Sequence, residues 1–190
     1  FSHNDQQSIW QSSSPEGSTV GWGGNIGDLA LSGNGNSLFT CISVTGNAVF
    51  LSGDSALQYQ VSTNGAVAIN GVKNRVYGSS AVQSALTSLI QQPRTQTLEN
   101  EYNRVTTRAV TAESQITNGL AGVTLSTTFP NNNSLANQLK MVARLIGART
   151  SLGSKRQVFL VSLGGFDLHD NLISQHPGLL DKVSSAMTAF

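Results

Sequence analysis

Residues Gln157–Asp170 read QVFLVSLGGFDLHD, and this stretch decides the fold class that the sequence predicts. The continuous apolar run at residues 158–161 is typical of a strand that is buried on both faces of a parallel sheet. Ligands of open α/β sheets bind just beyond the carboxyl ends of such strands. Asp167 and His169 follow directly, and positions i and i+2 of an extended chain point to the same side. We therefore expect a carboxylate and an imidazole to converge on one cation at the end of this strand.

The same residues have ordinary structural interpretations. Asp167 or Asp170 could cap a turn while His169 lies on the surface, because two residues alone are a weak motif for metal binding. His176 precedes Pro177, and we expect it to close a loop rather than to bind a metal. The residues alone therefore leave metal binding and turn capping open at this position.

A second cluster of chemically useful side chains lies at Ser2-His3-Asn4-Asp5. It offers a hydroxyl nucleophile, an imidazole and a carboxylate within four residues. Neighbouring residues of an extended chain point apart, so Ser2 and His3 are poor partners for each other. On residue types alone, a polar loop that caps the next segment is the better interpretation.

Apolar periodicity predicts helices on both sides of the buried strand, which we place at the centre of a sheet. We expect a short helix over residues 25–31, with Ile26, Leu29 and Ala30 facing inward. Longer helices are expected to begin after Ser79 or Ser80, at Thr97, after Ser134 as a cap, and at Pro177.

A different pattern occupies residues 37–72. Short β-prone runs alternate there with Gly-Asn and Asn-Gly turns, which predicts a β-rich insertion in the form of a small antiparallel layer. Helix, strand and helix in succession otherwise predict a single α/β domain over residues 1–190. The sequence thus combines an α/β framework with one β-rich excursion.

Composition restricts the possible functions. Charged residues make up 11% of the chain, and Ser, Thr, Asn, Gln and Gly fill the deficit, a balance more common in exported proteins. The net charge is +1 and the basic residues are scattered, which argues against nucleic-acid binding. Lys140 and Arg144 share a helix face, which we interpret as solvated.

Three further features concern the setting of the chain. Cys41 is the single cysteine, so an internal disulfide is excluded and a buried thiol is expected. No stretch approaches the ~20 apolar residues that cross a bilayer, so we expect no membrane span. The chain begins abruptly at Phe1 and stops at Phe190 inside an apparent amphipathic helix, and we expect it to be a piece of a longer polypeptide.

Three segments together resemble a known family. They are FSHNDQQSIWQ at the start, GWGGNIGDLAL at residues 21–31, and GGFDLHDNLISQHPGLLDKVSSAMTAF near the end. The chain resembles the exported bacterial family called domain of unknown function 1501, which belongs to the alkaline phosphatase and sulfatase superfamily. The last segment is the most specific, because a glycine pair, Phe, Asp-x-His and a Leu-rich helix occur in that order.

The resemblance implies a doubly wound, mostly parallel sheet flanked by helices, as in alkaline phosphatase. It also implies two divalent metal ions, most often zinc, and a hydroxyl nucleophile acting on a phosphate or sulfate ester. Asp167 and His169 match the family's strand-end metal ligands. Ser2, with His3 beside it, matches the region of the family's Ser-His motif and is the candidate nucleophile.

The resemblance also implies what this sequence does not contain. The family's acidic first-strand motif would precede Phe1, and its Phe-Gly-Arg and Thr-Asp-His motifs would follow Phe190. We therefore expect part of an exported, metal-dependent ester hydrolase, in the periplasm or at the cell surface, with a small-molecule or glycan ester as substrate. The alternative is a non-catalytic binding module on the same scaffold, which the low charge suits equally well.

Overall fold

The computed structural model describes residues 2–14 and 17–190 of the chain. Two compact units are distinguished. One is the continuous segment Ala66–Asn118, and the other contains the described residues up to Gly65 together with Gly119–Phe190. The strands and both candidate clusters belong to the second of these units.

Helices dominate the described part of the chain. Their bounds are α1 His3–Ser12, α2 Trp22–Leu31, α3 Asn70–Lys73, α4 Ser80–Gln91, α5 Thr97–Ala121, α6 Ser134–Gly147 and α7 Leu172–Ala189. Two short 3₁₀ turns span Ser37–Phe39 and Val49–Leu51. Within these described residues, no helix combines the length and apolar content that crossing a membrane requires.

The described residues contain three strands, β1 Cys41–Ser43, β2 Gln58–Gln60 and β3 Val158–Leu160. They form one parallel sheet in the order β2-β1-β3. Ile42 lies opposite Tyr59 on one side and opposite Phe159 on the other. The predicted α/β class with a parallel sheet is therefore confirmed, whereas a doubly wound sheet of alkaline phosphatase type stays a prediction.

The structure corrects two expectations about the strands. The antiparallel layer predicted within residues 37–72 is wrong, because β1 and β2 pair in parallel. The apolar run at residues 158–161 does not form the central strand either. β1 is central and fully buried, whereas β3 is half-buried and lies at the edge of the sheet. The apolar sequence of residues 158–161 did not show which strand is central. The rest of the chain covers β1 completely, but it covers β3 on part of its surface only.

Helix α2 packs through small residues rather than through large ones. Its buried positions are Gly23, Gly24, Gly27 and Ala30, whereas Ile26 and Leu29 are 47% and 84% exposed. The expectation that Ile26 and Leu29 face inward is therefore wrong. A side chain on Gly24 would overlap the carbonyl of Ser52. The glycine face therefore lets α2 approach the backbone at Ser52 closely.

Two helix starts differ from the predicted ones. The side chain of Asn133, not of Ser134, caps α6, and it accepts hydrogen bonds from the backbone N–H groups of Leu135 and Ala136. α7 begins at Leu172, so Pro177 lies inside the helix and His176 is helical rather than part of a loop. The proline removes one backbone donor, and apolar packing of the helix offsets that loss.

Two apolar clusters surround the sheet and its continuation. The first joins Cys41, Phe50, Leu51 and Ala56 with partly buried residues that include Val158 and Leu160. The second joins residues of α6 and α7 with Val161 and Leu163 from the chain after β3. This second cluster fixes the path of the segment that leads to Asp167.

Candidate functional site

The segment after β3 is held through its backbone before it reaches the candidate residues. Gln138 of α6 donates its amide N–H to the carbonyl of Ser162 at 2.8 Å and accepts the N–H of Ser162 at 2.9 Å. The Ser162 hydroxyl also bonds the hydroxyl of Thr45. Gly165 then adopts φ +91°, which permits a turn that a side chain would disfavour. A buried amide and a glycine turn thus direct the chain towards Asp167.

Asp167 and His169 meet in the structure. His169 Nε2 lies 3.1 Å from Asp167 Oδ2, so the two side chains point to the same side, as the i and i+2 spacing predicted. His3 reaches the same oxygen atom from α1, with its Nε2 at 3.5 Å. Two imidazoles from opposite ends of the sequence therefore converge on one carboxylate oxygen. We refer to His3, Asp167 and His169 as the histidine–aspartate cluster.

Helix α1 places His3 in this cluster. Trp10 of α1 stacks on Phe50, with ring centroids 5.7 Å apart, and packs edge-on against Trp22 at 6.0 Å. The indole N–H of Trp22 donates to the carbonyl of Trp10 at 2.9 Å, and Gln11 accepts the N–H of Phe50 at 3.2 Å. These contacts attach the far end of α1 and thereby orient its first residue.

Ser2 is the N-cap of α1. Its hydroxyl oxygen accepts the N–H of Asp5 at 3.2 Å, while the Asp5 carboxylate accepts the N–H of Ser2 at 2.8 Å. This reciprocal pair is a capping box, and it agrees with the capping interpretation of Ser2. The hydroxyl acts as acceptor in this bond, so its own proton is not used by the cap. The structure therefore gives Ser2 a structural role and leaves its O–H group chemically available.

The donor atoms of the cluster, and the two nitrogen–oxygen distances between them, resemble those around a small cation. Two ligand atoms at about 2.0–2.1 Å from a tetrahedral Zn²⁺ lie roughly 3.3 Å apart. The two nitrogen–oxygen distances of the cluster, 3.1 and 3.5 Å, lie on either side of that value. Two imidazoles with one carboxylate are also a donor set that zinc accepts. The residues therefore fit the kind of metal that the family resemblance implies.

The cluster is not a preformed metal centre. Within residues 2–14 and 17–190, no group of three or more His, Cys, Asp or Glu side chains is arranged to hold a metal ion as it stands. A ring nitrogen that donates a proton to Asp167 cannot bind a cation at the same time. Metal binding at these nitrogens would therefore replace the present imidazole–carboxylate contacts.

Solvent exposure indicates what the cluster does not do. The side chains of His3, Asp167 and His169 are 78%, 60% and 85% exposed. Even as ion pairs, polar contacts that are this accessible contribute little to folding. Stabilisation of the fold is therefore a weak explanation for bringing these three residues together.

Asn171 and His176, which follow Asp167 and His169 in the sequence, lie outside the cluster. His176 of α7 packs edge-on against the ring of Phe166, with centroids 6.1 Å apart. Asn171 begins α7 with φ 54°, and its carbonyl accepts hydrogen bonds from Ser174 and Gln175. Neither contact involves the cluster, so His176 offers a matched control for the histidines that do belong to it.

Other carboxylates of the chain are engaged structurally. Asp28 accepts three backbone N–H groups of the loop at residues 54–56, and the bond from Ala56 is the main reason that the pKa of Asp28 lies below 3.8. In the unit Ala66–Asn118, the Lys73 ammonium bonds Glu113 and lowers the pKa of Glu113. The sulfur of Cys41 is buried, which raises the pKa of its thiol to about 11.

The convergence of His3 on Asp167 was not anticipated from the sequence. The Ser2-His3-Asn4-Asp5 segment and the strand-end pair are separated by most of the chain, and no local spacing connects them. The capping box Ser2-x-x-Asp5 was the available signal for a helix at this position.

Comparison with protein-family models, with curated proteins and with solved structures finds no match to this chain.

Proposed function

We propose that this chain forms part of an exported, metal-dependent hydrolase acting on phosphate or sulfate esters. The observation that carries the proposal is the convergence of His3 and His169 on one oxygen of Asp167. The parallel sheet, in which β2 and β3 are both edge strands, is compatible with a larger doubly wound sheet. The low content of charged residues, 11%, supports export to the periplasm or cell surface.

Asp167 and His169 would hold a divalent ion, and His3 would be a third ligand. Catalytic zinc sites commonly use three protein ligands and keep one position open for substrate or water. A bound ion would supply a Lewis acid for the oxygens of the ester. The carboxylate of Asp167 would balance positive charge, and the exposed setting leaves room for a small-molecule or glycan ester.

Ser2 is the proposed nucleophile. Its hydroxyl precedes His3 in the sequence and lies at the N-terminus of α1, where the partial positive charge of the helix favours an anionic oxygen. The bond from Asp5 holds the oxygen in place without using its proton. Transfer of that proton to solvent would give an alkoxide that bonds to phosphorus or sulfur while the bond to the ester alcohol breaks and the alcohol leaves; water would then release the phosphate or sulfate and restore the hydroxyl.

The test is to measure Zn²⁺ binding by calorimetry in the wild type and in Asp167→Asn, His169→Asn and His3→Asn. We expect saturable binding that is weakened about 100-fold by the first two variants, because ligands and their close partners typically contribute this much or more. His176→Gln is the matched control and should bind like the wild type. Absence of divalent-ion binding by the wild type, or equal binding by the variants, would contradict the proposal.

Hydrolysis of aryl phosphates and aryl sulfates by the full-length protein tests the nucleophile. Ser2→Asn retains a good N-cap but lacks the hydroxyl, so it should keep the melting temperature and the zinc affinity while turnover is lost. Ser2→Ala loses both cap and hydroxyl, and about 1 kcal/mol of stability with the cap. Turnover by Ser2→Asn at the wild-type rate would exclude Ser2 as nucleophile.

A non-catalytic binding module is the second candidate, and one observation favours it. Trp10 and Trp22 pack against each other yet remain 61% and 42% exposed. Exposed, preorganised aromatic rings of this kind are enriched at binding interfaces. A metal-free protein that binds glycan arrays, and loses that binding in Trp10→Ala, would support this alternative over the hydrolase.

A further inference from the structure

A polar cavity of about 370 Å³ lies outside the histidine–aspartate cluster. One part of its wall is the turn at residues 62–65 and the other is the outer face of α6. The lining residues are Thr63, Asn64, Asn137, Lys140, Met141 and Arg144. The two charged groups among them are both positive, and no carboxylate lines the cavity in the described part of the chain.

The turn at residues 62–65 does not depend on the side chains of Thr63 and Asn64. Ser62 and Gly65 exchange two backbone hydrogen bonds, at 2.9 and 3.0 Å. The Ser62 hydroxyl closes the turn further by donating to the carbonyl of Gly65 at 2.8 Å and accepting the N–H of Asn64 at 3.2 Å. Backbone groups and Ser62 therefore fix this turn, which leaves the hydroxyl of Thr63 and the amide of Asn64 available to the cavity.

Helix α6 supplies the positive charges from a well-anchored position. Residues 137, 140 and 144 share one helix face, and the rest of the helix is anchored through the buried residues Leu135, Ala136, Met141, Val142 and Leu145. One guanidinium N–H of Arg144 donates to the carbonyl of Leu120 at 3.4 Å. A guanidinium has five N–H donors, so this bond orients Arg144 and leaves further donors for a ligand.

Most donors of the cavity have no partner within the protein. Among the residues that the structure describes, no hydrogen bond or ion pair engages the Lys140 ammonium or the side chains of Thr63, Asn64 and Asn137. The cavity therefore contains several hydrogen-bond donors and two positive charges but no carboxylate among the described residues that line it, which gives it a positive electrostatic potential. This arrangement selects an acceptor-rich anion over a cation or an apolar ligand.

We propose that this cavity binds the phosphate or sulfate group of a small ester. Lys140 would act as a point charge and Arg144 as a planar fork, with the hydroxyl and amides completing the contacts to the oxyanion. The volume lies within the range of small-molecule sites, about 300–1,000 Å³, and exceeds what a bare oxyanion fills. The remaining space accommodates the alcohol portion of the ester. The site uses none of the residues of the histidine–aspartate cluster.

Calorimetric titration of the metal-free protein in the presence of a chelator tests this site without interference from bound cations. The ligands are inorganic phosphate, inorganic sulfate, glucose 6-phosphate and unmodified glucose. We expect glucose 6-phosphate to bind at least as tightly as inorganic phosphate, and glucose alone not to bind. Lys140→Ala and Arg144→Gln should each weaken the binding by about tenfold or more.

Lys182→Ala is the matched control, because it removes one exposed lysine of the same unit from a helix that does not line the cavity. It should leave the affinity unchanged. Lys140→Ala should keep the wild-type melting temperature, so its result remains interpretable if Arg144→Gln perturbs the bond to Leu120. Failure of the wild type to bind any of the three anions, or an equal loss in Lys182→Ala, would overturn the proposal. Neither result bears on zinc binding by Asp167.

Discussion

Asp28 and Asp167 are carboxylates of the same compact unit with opposite surroundings. Asp28 lies in α2 and accepts backbone N–H groups from Asp54, Ser55 and Ala56, at 2.8, 3.0 and 2.6 Å. Asp167 follows β3 and has two imidazoles at one of its oxygens, with more than half of its side chain exposed. The Asp28 carboxylate accepts hydrogen bonds from the backbone, whereas the Asp167 carboxylate lies beside imidazoles that can bind other partners.

This difference separates a structural residue from a candidate functional one. A carboxylate that accepts several backbone donors fixes the path of a loop, and its removal leaves those donors without partners. An exposed carboxylate beside two imidazoles contributes little to folding and keeps the ligand types that zinc prefers. We therefore expect substitutions near Asp28 to change stability, and substitutions in the histidine–aspartate cluster to change metal binding.

The largest expected effect follows from Gly24→Ala, in the helix that carries Asp28. A methyl group at Gly24 would overlap the carbonyl of Ser52, and neither backbone can yield without moving α2 or the chain next to it. We expect a loss of about 3 kcal/mol in the free energy of unfolding, the upper end of typical overpacking costs. Urea denaturation followed by circular dichroism measures this change.

Gly178→Ala is the control for that substitution. Gly178 lies in α7, beyond Asp167, and an added methyl group there meets no atom within 4 Å. We expect unchanged stability or a gain of up to about 1 kcal/mol, because alanine restricts the unfolded chain and favours the helix. Equal destabilisation by both variants would show that α2 does not depend on the close approach of its glycine face.

The next effect separates the two aspartates directly. Asp167→Asn should weaken zinc binding about 100-fold without a measurable change in the melting temperature. Asp28→Asn should lower the melting temperature by several degrees and leave zinc affinity unchanged, because an amide group cannot accept the N–H that now bonds the second carboxylate oxygen. Calorimetry and thermal denaturation of both variants test this crossed pattern. If Asp28→Asn weakened zinc binding, or if Asp167→Asn lowered the melting temperature, the two aspartates would not have separate roles.

Local signals in the sequence identified much of the secondary structure. Ser79 caps α4 by accepting the N–H of Val82, and α5 begins at Thr97 as its apolar spacing predicted. The inward face of α2 was assigned wrongly, because hydrophobicity favours Ile26 and Leu29 whereas the helix packs through its glycines. Hydrophobic periodicity shows which side chains are apolar. It does not show where two backbones approach so closely that only glycine fits between them.

Strand position and the full cluster depended on long-range contacts. β1 is a short strand that contains Ser43 and follows Thr40, yet it is the buried central strand. The i and i+2 spacing predicted that Asp167 and His169 would meet, since that geometry is local. Recruitment of His3 depends on how Trp10 of α1 packs on Phe50, and sequence spacing contains no information about that contact.

The smallest expected effect is the acid dependence that belongs to Asp28. Backbone donation, chiefly from Ala56, lowers the pKa of Asp28 in the folded protein below its value of 3.8 in the absence of these bonds. The folded state therefore binds fewer protons than the unfolded state just below pH 3.8, and stability rises with pH in that window. The contribution is fully present above the unfolded-state pKa and is lost as pH falls through the folded-state pKa.

The difference between wild type and Asp28→Asn isolates this contribution, because Glu113 also has a lowered pKa and adds its own acid dependence to both proteins. We expect the difference in melting temperature to be constant near neutral pH and to narrow once the pH falls below about 3.8. Asp167→Asn, measured alongside, controls for the loss of one carboxylate from the same unit. A difference that stays constant down to pH 2 would mean that Asp28 acts through shape alone, since an asparagine imitates the protonated carboxyl but not the carboxylate.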